Sequence, residues 1–317
     1  LPSGINLFRL LEARPGLLEQ LMAIVTLAPP LADDLARRPA LFDALIDRSA
    51  HDLPESVPAL QRAMQRAEPR GNYEALLDRI RVVTGEQRFA LGVQLITGTH
   101  DPLDIAHGFA VVAEAALQTA LAGTVAEFAK THGTIEDSEM VILGLGRLGG
   151  EALTHASDLD IIYLFTGDHG AESDGERPMS ATRYYNRLAQ RVGAALSVPT
   201  AEGPLYEVDT RLRPQGAQGP LAVSVESFAR YQRESAWTWE HMALARARVV
   251  AGSFAARADV DDIIREVLLA PRDPATLRED VLKMRGEMAR HKPAKGVLDV
   301  KLRRGGLVDI EFVLHFL

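Results

Sequence analysis

Residues 141–165, VILGLGRLGGEALTHASDLDIIYLF, decide the fold of this chain. The stretch reads as an apolar run, a glycine-rich turn, a short polar connection and a second apolar run opened by two aspartates. Asp158 and Asp160 stand two apart at the start of an expected strand. Side chains alternate across a strand, so both carboxylates share one face. Two carboxylates beside glycines that admit a close backbone approach suit a Mg²⁺–nucleotide site. The plainer alternative is a hairpin with solvated aspartates.

Gly144, Gly146 and Gly149 also spell G-x-G-x-x-G. A dinucleotide fold needs more than that match. It needs a crossover helix of about a dozen residues before the next parallel strand. Only residues 151–157 separate these glycines from the aspartates. It also needs a ribose-binding acid about 20 positions on, whereas these acids come sooner and open the second strand.

Composition sets outer limits. A chain of 317 residues with 47% hydrophobic content can bury a large core in two or three domains. A net charge of −8 argues against a general nucleic-acid binder. Without cysteine there are no disulfides and no thiolate metal sites. No apolar run is expected to reach membrane-spanning length and no signal peptide opens the sequence, so a soluble cytoplasmic protein is expected. The chain starts at Leu1 rather than Met and stops within an apolar helical pattern, so it reads as a piece of something longer.

Residues 1–98 read as all-helical, with Leu7, Leu10, Leu11, Leu17, Leu18 and Leu21 at helical spacing and six prolines as punctuation. A long amphipathic helix is expected over 73–96, carrying Arg79, Arg81 and Arg88. His51 and His100 have no partner at metal-ligand spacing, so this part reads as scaffold or partner surface. One or two helices are expected over 104–130, opened by Asp101-Pro102 and stopped at His132-Gly133. Residues 166–178 read as a loop and 182–196 as a helix with a basic stripe of Arg183, Arg187 and Arg191.

Residues 205–214, LYEVDTRLRP, alternate strictly. Glu207, Asp209, Arg211 and Arg213 form one face of an expected strand. Four charges on one face are costly if buried and unpaired, so the face is either solvated or lines a polar site. A third carboxylate facing the aspartate pair would complete a site for two metals. Arginines beside it would take phosphate charge, as would Arg147 between the glycines unless it is a solvated turn residue. Residues 224–248 read as helical, with Ser224 and Ser227 as candidate caps. Trp237 and Trp239 would stack on adenine or belong to the core. Arg246 and Arg248, after a run of alanines, read as surface arginines. Helices are expected over 259–269 and 277–291, and a basic, glycine-containing segment over 296–306.

Five pieces then occur in order: GLGRLGG at 144–150, SDLDIIYLF at 157–165, YEVDTRLRPQGAQGPL at 206–221, AWTWEHMALARARVVAG at 236–252 and DVKLRRGGLVDIEF at 299–312. Together they resemble the bacterial glutamine synthetase adenylyltransferases, bifunctional enzymes of the DNA-polymerase-β-like nucleotidyltransferase superfamily. The resemblance implies an α+β fold, a mixed-sheet nucleotidyltransferase domain flanked by largely helical segments. Its implied divisions are 1–98, 99–254 and the start of a helical domain at 255–317. It implies two Mg²⁺ ions, with Asp158 and Asp160 as the metal-binding pair and Asp209 as the third acid. Nucleotide contacts are implied at Gly146, Arg147, Gly149, Gly150, Ser157, Arg211, Arg213, Arg246 and Arg248. ATP is the implied substrate, and glutamine synthetase and the nitrogen-signalling protein PII the implied partners.

The pieces AWTWEH and SGINLFRLLEARP, the latter at 3–15, look like the adenylylating half of such an enzyme rather than the half that removes AMP by phosphorolysis. Two positions depart from the pattern. Arg147 stands where lysine is commoner, and His315 where glutamine is expected. The resemblance leaves the roles of Trp237, Trp239, Lys301 and Glu311 open.

Overall fold

A computed structural model describes residues 4–46, 51–66 and 72–317, with side chains from Phe8 onward. Ser3 and the Leu7 side chain, both used above, lie outside the described residues. Four short helices open the chain: α1 (Gly4–Ala13), α2 (Pro15–Leu27), α3 (Pro29–Arg37) and α4 (Leu41–Ile46). Prolines in the first turns of α2 and α3 set the breaks, where a missing N–H costs nothing. Leu11, Leu17, Ile24, Leu31 and Leu45 pack against Phe89 and Val93 of a long helix, α6 (Tyr73–Thr97). Leu18 is instead exposed.

α5 (Val57–Met64) and α6 lean on α7 (Pro102–His132), the central helix. The expected limits of α7 hold. The Asp101 side chain accepts from the Leu103 N–H, and Gly133, at φ +69°, ends the helix. The expectation that no run is long enough to span a membrane needs correction. α7 has 31 residues, and an 18-residue window in it has a mean hydropathy of 1.5. More than half of that window is buried inside the protein, as befits a core helix.

The sheet is built on a hairpin. β1 (Met140–Gly144) and β2 (Leu159–Phe165) pair antiparallel from Met140 with Phe165 to Gly144 with Ile161. That pairing excludes the parallel crossover of a dinucleotide fold. β2 carries two parallel partners on its other edge: β3 (Val208–Asp209) beside Leu159 and Asp160, and β4 (Ala222–Ser224) beside Tyr163 to Phe165. β5 (Arg248–Ala251) closes the far edge of β1. Alternation sorts the hairpin's side chains into two cores. Ile142, Ile161 and Tyr163 face α7 and α9 (Ala181–Ser197). Val141, Leu143, Ile162 and Leu164 face α10 (Val225–Glu234) and α12 (Phe254–Leu269). With both faces covered, the two strands read as unbroken apolar runs rather than alternating ones.

Two expectations fail here. The strand over 205–214 is only two residues long, because the chain turns at once: Arg213 N–H donates to the Thr210 carbonyl. Residues 224–248 are not one helix. Ser224 caps α10 through Ser227 N–H, and the helix stops at Glu234. Glu240 then accepts from the Trp237 N–H and starts α11 (Thr238–Leu244), before Arg248 enters β5. Trp237 is 70% exposed and Trp239 39%, so neither is core. α13 (Pro274–His291) and α14 (Leu307–Phe316) complete the described chain, tied by Arg285 to Asp309.

Candidate active site

The site grows from the hairpin turn. Leu145 N–H donates to the Asp160 carbonyl at 2.9 Å, which pins the turn against the head of β2. A short helix, α8 (Gly146–Gly149), follows. Gly146 sits at φ +55°, and a Cβ there would lie 2.5 Å from Asp160 Oδ2. A Cβ on Gly149 would overlap the Arg246 carbonyl and come within 2.5 Å of the Gly144 carbonyl. Glycine is therefore required at both positions, one for conformation and one for space. The N–H groups of Gly149 and Gly150 are spent within the turn, on the carbonyls of Leu145 and Gly146. Thus the close approach that Gly149 provides is to the strand beside it, while the first N–H groups of α8 remain outside its helical bonding.

Asp158 lies just before β2 and Asp160 in its second position. β3 brings Asp209 level with Asp160. One carboxylate oxygen from each of the three lies within 4.8 Å of the others, a geometry able to hold a metal ion. Crowding leaves its mark on protonation. Burial first, then Asp158 and Asp209, push the Asp160 carboxyl up to about 6. Asp209 moves the other way. Arg211 binds it through Nε, at 2.8 Å from Oδ2, and through its own N–H at 2.8 Å from Oδ1. These bonds hold the Asp209 carboxyl below its ordinary range, with Lys292 adding to the field.

The remaining expected contacts divide. Gly146 and Arg211 stand against the triad, while Gly149 and Gly150 stand against Arg246. Arg246 runs beside Gly150, reaches Glu311 of α14 at 3.1 Å, and its charge is felt at Asp160. His315 lies close to the same pair, and burial followed by the Arg246 charge pushes it below its ordinary pKa. Arg147 is half-buried on α8, and Ser157 bonds back to Thr154, 2.9 Å between hydroxyls. Arg213 is turned into its own loop, on the carbonyls of Thr210 and Gly219. Arg248 pairs with Glu114 of α7 at 2.6 Å and with Glu151 at 3.7 Å. Neither Arg213 nor Arg248 is directed to the carboxylates in this arrangement.

A cleft of about 590 Å³ opens on Ser157, Asp158 and Glu207 and runs to Asp34 and Arg37 of α3 and Arg88 of α6. Sequence reading assigned Ser157 and Asp158 to a site but no residue of α3 or α6. No motif signals them, because Asp34 and His155, 3.2 Å apart, meet only through the tertiary fold.

A glycine turn abutting two carboxylates on a hairpin, with a third carboxylate from a parallel neighbour, defines a nucleotidyltransferase-like α+β domain. The chain belongs to the glutamate-ammonia ligase adenylyltransferase family, whose model matches residues 18–263. Over 315 residues, 99% of its length, it is 44% identical to a protein of Mesorhizobium japonicum, of which it covers 32%. It is 44% identical over 320 residues to one of Brucella melitensis and 42% over 319 residues to one of Rhizobium meliloti, covering 32% of each. All three are described as bifunctional glutamine synthetase adenylyltransferase/adenylyl-removing enzymes. The chain thus spans about a third of the length of the curated relatives it matches.

Proposed function

We propose that this chain transfers an adenylyl group from ATP to a tyrosine hydroxyl of glutamine synthetase, releasing pyrophosphate, with Mg²⁺ at the carboxylate triad. The observation that carries this reading is the convergence of Asp158, Asp160 and Asp209 beside the glycine turn. The donor set suits a hard divalent cation, being all oxygen. Burial and two acidic neighbours raise the Asp160 carboxyl, and a bound cation would relieve that crowding of like charge. Asp158 and Asp160 would hold two ions and Asp209 would share one. Bound Mg²⁺ offsets the negative charge of the phosphoryl oxygens.

The chain's own residues do the rest. Asp209, kept ionised by Arg211, would take the proton of the incoming hydroxyl. The hydroxyl oxygen then bonds to the α-phosphorus as the bond to pyrophosphate breaks in line. Gly146, Arg147, Gly149, Gly150 and Ser157 would border the triphosphate, and Arg211 and Arg246 would neutralise it. Contacts from Arg213 and Arg248 would require them to leave their present partners. The cleft from Asp158 toward α3 would admit the acceptor segment.

The divisions at 98 and 254, the cytoplasmic setting and the action of PII on the full-length protein belong to the same proposal. So does assignment to the adenylylating half, which rests on the 236–241 stretch AWTWEH. The test is transfer of label from α-labelled ATP to purified glutamine synthetase, with and without Mg²⁺. Label lost in the Asp158→Ala/Asp160→Ala variant supports the reading, and label retained refutes the site. ADP formed from adenylylated glutamine synthetase and phosphate, with no use of ATP, reassigns the chain to the removing reaction.

A further inference from the structure

The reaction proposed above needs Asp209 beside Asp158 and Asp160, although three carboxylates repel one another. β3 pairs over only two residues, so its own ladder is a slight hold against that repulsion. A firmer hold comes from α6. Arg88 donates through Nη1 to the Leu205 carbonyl at 3.1 Å and through Nη2 to the His155 carbonyl. Leu205 leads into β3 and Asp209, and His155 leads into Asp158. The guanidinium also lies over the Tyr206 ring, 4.9 Å from its centroid.

Neighbouring arginines grip one side only. Arg81, 1% exposed, binds the carbonyls of Gly203, Ala195 and Val198 ahead of β3, and Arg38 binds that of Glu202. Among the described residues, Arg88 is the arginine that joins this side to the loop before β2. A planar fork can hold two carbonyls at a fixed separation, whereas an ammonium is a point donor.

We infer that Arg88 is a positioning residue for the carboxylate triad, setting the separation of Asp209 from Asp158 by tying both approach loops to α6. The inference rests on the metal reading above, and the test separates the two. Mn²⁺ alone is titrated into the 317-residue chain, wild type and variants Arg88→Lys, Arg88→Met and Asp160→Asn, at a temperature where circular dichroism shows each folded. Arg88→Lys keeps charge and stem, and carries the test if Arg88→Met does not fold. Both Arg88 variants are expected to weaken Mn²⁺ about tenfold per folded molecule, the range for residues that orient metal ligands. Wild-type affinity in folded Arg88→Lys, with binding abolished by Asp160→Asn, overturns the inference alone. No Mn²⁺ binding in the wild type, or binding unchanged by Asp160→Asn, overturns the metal reading and the inference with it.

Discussion

Replacing Asp160 by asparagine is expected to stabilise the metal-free protein while abolishing its chemistry. The carboxyl is raised from an ordinary 3.8 to about 6 by burial and by its two acidic neighbours. The folded state therefore resists ionising it, and the unfolded state does not. Stability from this group is fully present below pH 3.8 and is lost as pH rises through 6. At 1.36 kcal/mol per tenfold change, the full difference at pH 7.5 is about 3 kcal/mol. The carboxyl is part-exposed, so solvent screening leaves about half of that, roughly 1.5 kcal/mol. Asparagine has nearly the same shape and no charge, so it recovers this amount at pH 7.5 and only about 0.3 kcal/mol at pH 4. For a chain of this size the gain at pH 7.5 is about 2 °C in Tm. Thermal melts in EDTA at both pH values check it. An Asp160→Asn protein that melts no higher than wild type at pH 7.5, or whose advantage persists at pH 4, refutes the reasoning.

Other substitutions test the frame around the site. Gly149→Ala is expected to cost at least about 2 kcal/mol, read by urea unfolding, because the methyl has only backbone carbonyls to displace. Gly146→Ala would push against the Asp160 carboxylate and force a positive φ on alanine, so Mn²⁺ affinity should fall together with Tm. Arg81→Met strands carbonyls that its guanidinium satisfies in the interior, and a loss of about 3 kcal/mol or more is expected in the same unfolding assay. Ser224→Ala removes the acceptor for the Ser227 N–H and should cost about 1 kcal/mol without altering Mn²⁺ affinity.

The parts of the fold legible in sequence are those whose signals are local. The hairpin shows in its two apolar runs and the short gap between them, and α7 shows in Asp101-Pro102 and Gly133. Asp158 and Asp160 share a face because strand alternation aligns them, whereas Asp209 reaches them through the parallel pairing of β3, which spacing left open and the resemblance alone implied. The 205–214 stretch misleads because a polar–apolar alternation also suits a strand end followed by a turn, and Arg213 belongs to the turn. The 224–248 stretch misleads because its helical composition hides a local restart, set by Glu240 reaching back to Trp237. Arg248 opens an otherwise apolar edge strand and finds Glu114 on a helix distant in sequence. Arg81 and Arg88 read only as arginines among the apolar residues of a long amphipathic helix. Their distant carbonyl partners lie in the hairpin connection at His155, in α9 at Ala195, and past α9 at Val198, Gly203 and Leu205, where no periodicity reaches.

The unequal edges of β2 have a consequence for the order of assembly. Its pairing with β1 closes across the connection at 145–158, while its pairings with β3 and β4 wait until α9 has crossed over and docked. Loop-closure entropy favours the short closure, so the hairpin nucleates and the parallel partners arrive late. Asp158 and Asp160 then meet early, and the repulsive third charge joins them only once the surrounding core can hold it. Pulsed hydrogen exchange during refolding should protect the Leu145 amide, bonded to the Asp160 carbonyl, before that of Leu159, whose N–H awaits the Glu207 carbonyl.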